Sequence, residues 1–233
     1  MMKAFVAGVL VAVGCGSVQD RPPIDAASVQ DRPPIDAAFE EDGRTVDAPI
    51  DAPVDAPDLS PRLIFVTGST FDCALGGVAG GDAKCQAAAA AVGLPGTYKV
   101  WLADATGSPA TRMTHHAGPY RLVTTAVVAQ SWDDLTDGTL MNKIDRTESG
   151  LQLGGVGCNA SDPVRCHFIC EGGEVWSNVS ASGGRRMGAN DCAGWTGGAN
   201  ATAGNSDKVD AAWTVGICTN IGSGSLPIFC VQQ

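Results

Sequence analysis

Cationic side chains are scarce in this chain. Its 15 Lys and Arg stand against 25 Asp and Glu, a formal net charge of −10 over 233 residues. Nucleic acid and anionic membrane surfaces both reward clustered Lys and Arg, so neither suits this chain as a partner. Histidine is scarcer still, with only His115, His116 and His167. The sequence holds no Gly-x-Ser-x-Gly elbow and no His-Glu-x-x-His pair, so serine-hydrolase and zincin chemistries have no motif to rest on. The pair His115-His116 is an awkward metal or base site, because adjacent residues of a strand face opposite ways. They read as exposed loop histidines. Long apolar runs are missing too. The run from Ala4 to Val13 falls short of the roughly 20 residues that cross a bilayer.

What the amino terminus does carry is an address. Lys3 supplies a charged start, Ala4 to Val13 an apolar core, and Ala12-Val13-Gly14-Cys15 a small-residue cleavage site ending in cysteine. That is the layout of a bacterial lipoprotein signal over residues 1–15. Cys15 is the expected lipidation site, and several acyl chains anchor stably where one holds only marginally. The competing reading is an ordinary secretory signal with a chance cysteine. Gly16 follows the cysteine, with no acidic residue there to signal inner-membrane retention. The expected location is the bacterial outer membrane or cell surface, with the membrane as a partner through the lipid anchor. Everything after Cys15 then meets an oxidising compartment.

The negative charge is unevenly spread. Residues 16–61 hold eleven Asp/Glu against three Arg, for −8, whereas 62–233 come to only −3. The acidic stretch is repetitive: 17–27 reads SVQDRPPIDAA, 28–38 repeats it unchanged, and VDAP, IDAP and VDAP follow from Val46 to Pro57. A proline every fourth residue removes donors and fixes φ, so neither helix nor sheet can grow. There is too little apolar surface to repay ordering. Residues 16–61 are expected to be a disordered tether, reaching on the order of 140 Å as polyproline II. It is either a stalk that lifts a domain off a membrane or slipped-repeat sequence of no consequence.

Residues 62–233 suffice for one domain with a proper core. Besides Cys15 there are eight cysteines: Cys73, Cys85, Cys158, Cys166, Cys170, Cys192, Cys218 and Cys230. An even number in an exported chain reads as a disulfide framework, open to 105 pairings. Zinc would need a second short-spaced pair beside Cys166 and Cys170, and none is there. The pattern predicts strands at 63–67, 98–102, 174–177, 213–215 and 228–231, and strand or hairpin over 120–128. It predicts a helix over 83–92, closed by Gly93 and Pro95, and a short helix around Trp132. A Gly/Asn/Ala-rich loop fills 182–210.

Several segments in ordered spacing resemble a known family. They include Gly81-Asp82-Ala83-Lys84-Cys85-Gln86, Gly93-Leu94-Pro95-Gly96-Thr97-Tyr98-Lys99-Val100-Trp101-Leu102 and Gly118-Pro119-Tyr120. Trp132-Asp133-Asp134-Leu135-Thr136-Asp137-Gly138, Val175-Trp176, Asp191-Cys192-Ala193-Gly194-Trp195-Thr196 and Phe229-Cys230 follow. Together they are similar to a bacterial extracytoplasmic domain family of unknown function, itself similar to endostatin and to C-type lectin-like domains. The resemblance implies a disulfide-braced α+β fold of lectin-like type with a long loop region. It also implies nested bridges, Cys85–Cys230 and Cys192–Cys218. For the four cysteines outside the family pattern the guess is Cys158–Cys166 and Cys73–Cys170. Sugar-binding C-type lectins carry an acidic-Pro-acidic/amide tripeptide and a Trp-Asn-Asp tripeptide. Neither is present, so a calcium-dependent sugar site does not carry over.

Three carboxylates, Asp133, Asp134 and Asp137, are weak calcium candidates because oxygen ligands suit that ion, although the spacing is not that of an EF-hand. Capping aspartates explain them as well. No cofactor is expected. Trp101, Trp176 and Trp213 read as core, and Trp195 as packed against a bridge. Asn190, Asp191, Trp195, Asn200, Asn205 and Asp207 make the candidate ligand face. The expected function is a lipid-anchored lectin-like binding or adhesion module for an extracellular glycan or protein. The alternative is a cell-envelope hydrolase of unfamiliar type. A buried, perturbed carboxylate or histidine in a deep pocket would favour the enzyme.

Overall fold

The computed structural model describes residues 57–153, 173–187, 190–198, 200–216 and 224–233. The expected signal segment with Cys15, the expected tether up to residue 56, and Cys158, Cys166, His167, Cys170 and Cys218 lie outside the described residues. So does the guessed Cys158–Cys166 bridge.

The architecture is mixed α+β. Strand β1 (Arg62–Val66) is central in a five-stranded sheet with β2 (Tyr98–Val100), β3 (Tyr120–Arg121), β4 (Val127–Ala129) and β7 (Phe229–Gln232). The order is β2-β7-β1-β3-β4. Strand β1 runs parallel to β3 and antiparallel to β7, with Phe65 opposite Cys230. Alternation along the strands sorts side chains to two faces. Ile64, Val66, Phe229 and Val231 join one buried cluster, while Phe65 and Cys230 join the other. The region expected as strand or hairpin, 120–128, is a hairpin of β3 and β4. Strands β5 (Glu174–Trp176) and β6 (Ala203–Asn205) form a second, two-stranded sheet.

Helix α1 (Gly77–Ala91) begins earlier than the sequence suggested, behind a left-handed Gly76 with φ 86°. Gly80 and Gly81, expected to open the helix just before Ala83, lie inside it. A Cβ on Gly81 would come 2.7 Å from Val100 Cγ1, so the missing side chain lets the helix approach β2 closely. The far end closes as expected. Gly93 has φ 74°, and the Gly93 and Leu94 amides return to the carbonyls of Ala90 and Ala89, a Schellman arrangement. Asp82, expected at the helix start, sits in its middle and works across the interface. Its carboxylate accepts from Val100 N at 2.9 Å and pairs with Arg112 at 2.6 Å. Gln86 Oε1 accepts from Tyr98 N in the same way. Two amides of edge strand β2 are thus occupied by helix side chains, which closes that edge to further pairing.

Two short helices follow, α2 (Pro109–Arg112) and α3 (Trp132–Leu135), the second capped by Ser131, whose hydroxyl accepts from Asp134 N. Residues 213–215, expected as strand, are not. Ala211–Trp213 is a 3₁₀ turn capped by the Asp210 carboxylate on Ala212 N. That capping aspartate favours a turn over extended backbone. No helix among the described residues is long and apolar enough to cross a membrane.

Among the described residues two disulfides brace the domain. Cys85–Cys230 ties α1 to β7, with Cα atoms 5.4 Å apart. The second corrects the expected pairing. Cys192 is bonded to Cys73, with Cα atoms 6.0 Å apart, not to Cys218, and Cys73 is therefore not bonded to Cys170. The physical reason is proximity. The Gly76 amide donates to Trp195 O, so the segment before α1 and the turn at Cys192 are held side by side.

Candidate functional site: a groove at the far end of the sheet

The expected ligand face does not form as one surface. Trp195 is fully buried, and its indole Nε1 donates to the Ala103 carbonyl at 3.0 Å. It is a core residue. Asp191 Oδ1 accepts from Gly194 N and its Oδ2 pairs with Arg185 at 2.8 Å, so its carboxylate organises a turn. Asn200 is exposed, and its carbonyl accepts from Cys192 N, while Asn190 is half-buried. Asn205 closes the end of β6 opposite Glu174. Asp207 is exposed beside it and faces Lys143 at 3.4 Å. Asn190, Asp191 and Asn200 thus cluster about the turn at Cys192, while Asn205 ends β6 and Asp207 lies just after it.

The calcium candidates do not converge either. Asp134 accepts from Gln130 N, Asp137 from the amide and hydroxyl of Thr139, and Asp133 is exposed in the first turn of α3. These are capping roles. Among the described residues no three His, Cys, Asp or Glu are grouped to hold a metal. The two described histidines differ from each other. His115 is exposed and stacks on Trp132 with ring centroids 4.3 Å apart. His116, expected in an exposed loop, is buried, its Nε2 bonded to the Ser60 carbonyl at 2.8 Å. Buried Asp104 takes the amides of Thr106 and Gly107 and the Thr106 hydroxyl on one oxygen.

A surface groove of ≈ 340 Å³ lies instead where sequence reasoning placed nothing. Leu122, Ala126, Met141 and Val209 give it apolar walls, and Lys143, Asp145 and Arg146 give it charge. Met141 is 57% exposed, large for a methionine beside a folded sheet. The β3–β4 turn supplies Leu122 and Ala126. Segment 140–146 is laid along β4, where Met141 N donates to Val128 O and the Asn142 amide to Val127 O. Lys143 and Asp207 are each about half exposed, so their pair is worth no more than ~1 kcal/mol and opens readily to a ligand. A weak signal existed in the sequence: Met141 and Val209 are large apolar residues outside any periodic element.

The groove has a definite position relative to the ends of the domain. The chain enters the domain at the start of β1, where Arg62 N donates to Pro119 O and the Arg62 guanidinium binds the Gln233 carbonyl. At the other end of β1, Val66 N donates to Arg146 O. The first and last residues of the domain therefore sit at one end of the central strand and the groove's Arg146 at the other. Near the first end, the Ser60 amide on Asp58 holds that carboxyl below its ordinary range. Burial pushes Tyr98 and Tyr120 up to about 12, and neither lines the groove.

Among the described residues the longest run of left-handed backbone lies elsewhere. Cys192, Ala193, Gly194 and Trp195 have φ of 52°, 55°, 69° and 62°, a complete left-handed turn. Left-handed backbone costs each non-glycine residue roughly 1–2 kcal/mol. The burial of Trp195 and the bond to Cys73 oppose that cost.

No known protein-family model and no curated protein matches the chain.

Proposed function

We propose that this chain is a lipid-anchored extracytoplasmic protein whose lectin-like domain binds a glycan or protein ligand in the groove at 122–126, 141–146 and 209. One observation carries this reading: chain attachment and groove lie at opposite ends of β1. Attachment at Arg62 leaves that groove, at the other end of β1, clear of the chain's point of entry. The Cys15 site and the acidic repeats of 17–57 supply anchor and reach. The bridge Cys85–Cys230, joining first helix to last strand, agrees with the lectin-like assignment. The apolar walls contribute affinity by burial, and Lys143 and Arg146 select polar or acidic groups on the ligand.

Two measurements test this. Full-length oxidised protein applied to glycan and peptide arrays should give a defined set of binders, and Met141→Asp together with Lys143→Ala should abolish their binding without lowering the melting temperature by more than a few degrees. Binding unchanged in that variant refutes the groove. Separately, Cys15→Ser should move the protein from the membrane fraction to the soluble one; persistence in the membrane refutes the anchor.

A further inference from the structure

We infer that the Cys73–Cys192 bridge is a redox-sensitive clasp that holds a left-handed turn closed over the core, and that a dithiol opens it before it opens Cys85–Cys230. This does not rest on the binding reading above.

The turn is the most strained backbone among the described residues. Four consecutive residues, Cys192–Trp195, have positive φ, and only Gly194 adopts it without steric cost. The partner segment is left-handed as well, with Gly76 at 86° and Gly77 at 74°. Two ties hold the segments together, the disulfide and the Gly76 amide on Trp195 O, and the Asp191 carboxylate on Gly194 N closes the turn itself. Backbone strain persists only where surrounding structure over-determines it. Remove the covalent tie, and the left-handed turn favours relaxation.

Cys85–Cys230 is set differently. All four cysteines are buried, but Cys85 lies in regular helix and Cys230 in a strand paired on both sides, whereas Cys73 lies in a loop and Cys192 in the left-handed turn. Nothing there is released by cleavage, and opening it requires the sheet to open. Loop regions open at lower free energy than core strands.

The chemistry balances with a dithiol as the named reductant. One of its thiolates attacks a sulfur of Cys73–Cys192, that S–S bond breaks, and a mixed disulfide forms. The second thiol resolves it. The dithiol leaves as a cyclic disulfide, two electrons have passed to the protein, and Cys73 and Cys192 each end as a thiol carrying one proton. Trp195, released from the closed turn, then leaves its place against Ala103.

The test is graded reduction of the full oxidised chain with dithiothreitol, alkylation at each step and peptide mapping, with hydrogen exchange in parallel. Cys73 and Cys192 should be alkylated at a reductant concentration at least about tenfold below that needed for Cys85 and Cys230. Amide exchange across 191–198 should rise by a similar factor, while β1 and β7 stay protected. Ala193→Gly removes part of the strain without touching the bridge. It should raise the reductant concentration needed by roughly threefold to tenfold. The inference is overturned if mapping of the oxidised chain finds Cys192 bonded to another cysteine, if both bridges open together, or if exchange across 191–198 does not change. It is also overturned if Ala193→Gly folds and leaves the reduction midpoint where it was.

Discussion

The two faces of the five-stranded sheet are held by different means. On one, Ile64, Val66, Phe229 and Val231 meet large rings. Trp101 lies 5.0 Å from Trp213 and 5.8 Å from Trp132, and Trp213 lies 5.6 Å from Phe229, centroid to centroid. On the other, Phe65, Tyr98 and Val100 lie under α1, whose buried residues are only Val78, Gly81, Cys85 and Ala89. A buried methylene contributes about 0.8 kcal/mol and a large side chain about 1.5–3, so an Ala/Gly helix gains little from packing. Both described disulfides belong to that second cluster. Trp176 and Trp195 are also buried in that second cluster, so the covalent links accompany the small-residue helix rather than a lack of rings, and the face with Trp101, Trp132 and Trp213 has no bridge among the described residues.

The largest expected effect separates the two bridges. Their sequence separations, 145 and 119, are similar, and the loop-entropy model assigns each about 5 kcal/mol. Replacing Cys85 and Cys230 by Ser should cost about that much, read as a fall in the urea midpoint. Replacing Cys73 and Cys192 by Ser removes the same entropy term but frees the left-handed turn. Its net cost should be smaller by about 2–4 kcal/mol, because the strain of Cys192, Ala193 and Trp195 is relieved. Equal losses would show that the turn is not strained, and the distinction between the bridges would fail.

On the tryptophan face the corresponding weak point is polar. Trp101 Nε1 donates to Thr214 Oγ1 at 2.7 Å, and Ser177 Oγ shares the same hydroxyl at 3.2 Å, both fully inside the protein. Thr214→Val keeps the shape and removes the acceptor. It should cost about 1–3 kcal/mol, the penalty of an unpaired buried donor. A neutral result would mean that the rings alone hold this face. On the bridged face, Asp82→Ala removes the pair with Arg112 and the acceptor for Val100 N. The expected loss is about 1–2 kcal/mol, and Asp82→Asn should restore part of it by keeping an acceptor for Val100.

Much of this contrast was legible in the sequence, and the illegible part has physical causes. The strands around Ile64, Val100, Val175 and Phe229, the closure of α1 at Gly93 and the burial of Trp101, Trp176 and Trp213 follow from periodicity and turn chemistry, which are local. The start of α1 does not. Gly80 and Gly81 lower helix propensity, yet they are what lets the helix lie against Val100, a tertiary demand that no local pattern encodes. Trp195, read as packed against a bridge and also placed on the ligand face because it sits among Gly, Asn and Asp, takes only the first role. Its neighbours are loop residues where the loop dips inward, and burial of the ring together with the bond to Cys73 opposes the strain of the surrounding backbone. The partner of Cys192 depends on two left-handed segments meeting, which spacing does not show. The groove escaped notice because its residues come from three separate stretches.

The smallest effect is absent at neutral pH and compares the two faces directly. The chain has only two tyrosines, Tyr98 in the bridged cluster and Tyr120 in the tryptophan cluster. Each is 1% exposed, and burial raises each from 10.0 to about 12. A folded-state value above the unfolded one means that the protonated form is favoured by folding. The associated stability is therefore complete below pH 10 and is lost as pH rises through 12. Tyrosinate absorbance of the oxidised protein should stay flat through pH 10 and rise near 12. Reducing both bridges should bring Tyr98 back toward the ordinary value, since its cover is a helix that burial alone holds weakly. Tyr120 should keep its delayed titration under the tryptophan face. Half of the absorbance change should therefore move to lower pH on reduction and half should remain. If both tyrosines move together, the two faces are one cooperative unit and the bridges stabilise the whole sheet rather than one side of it.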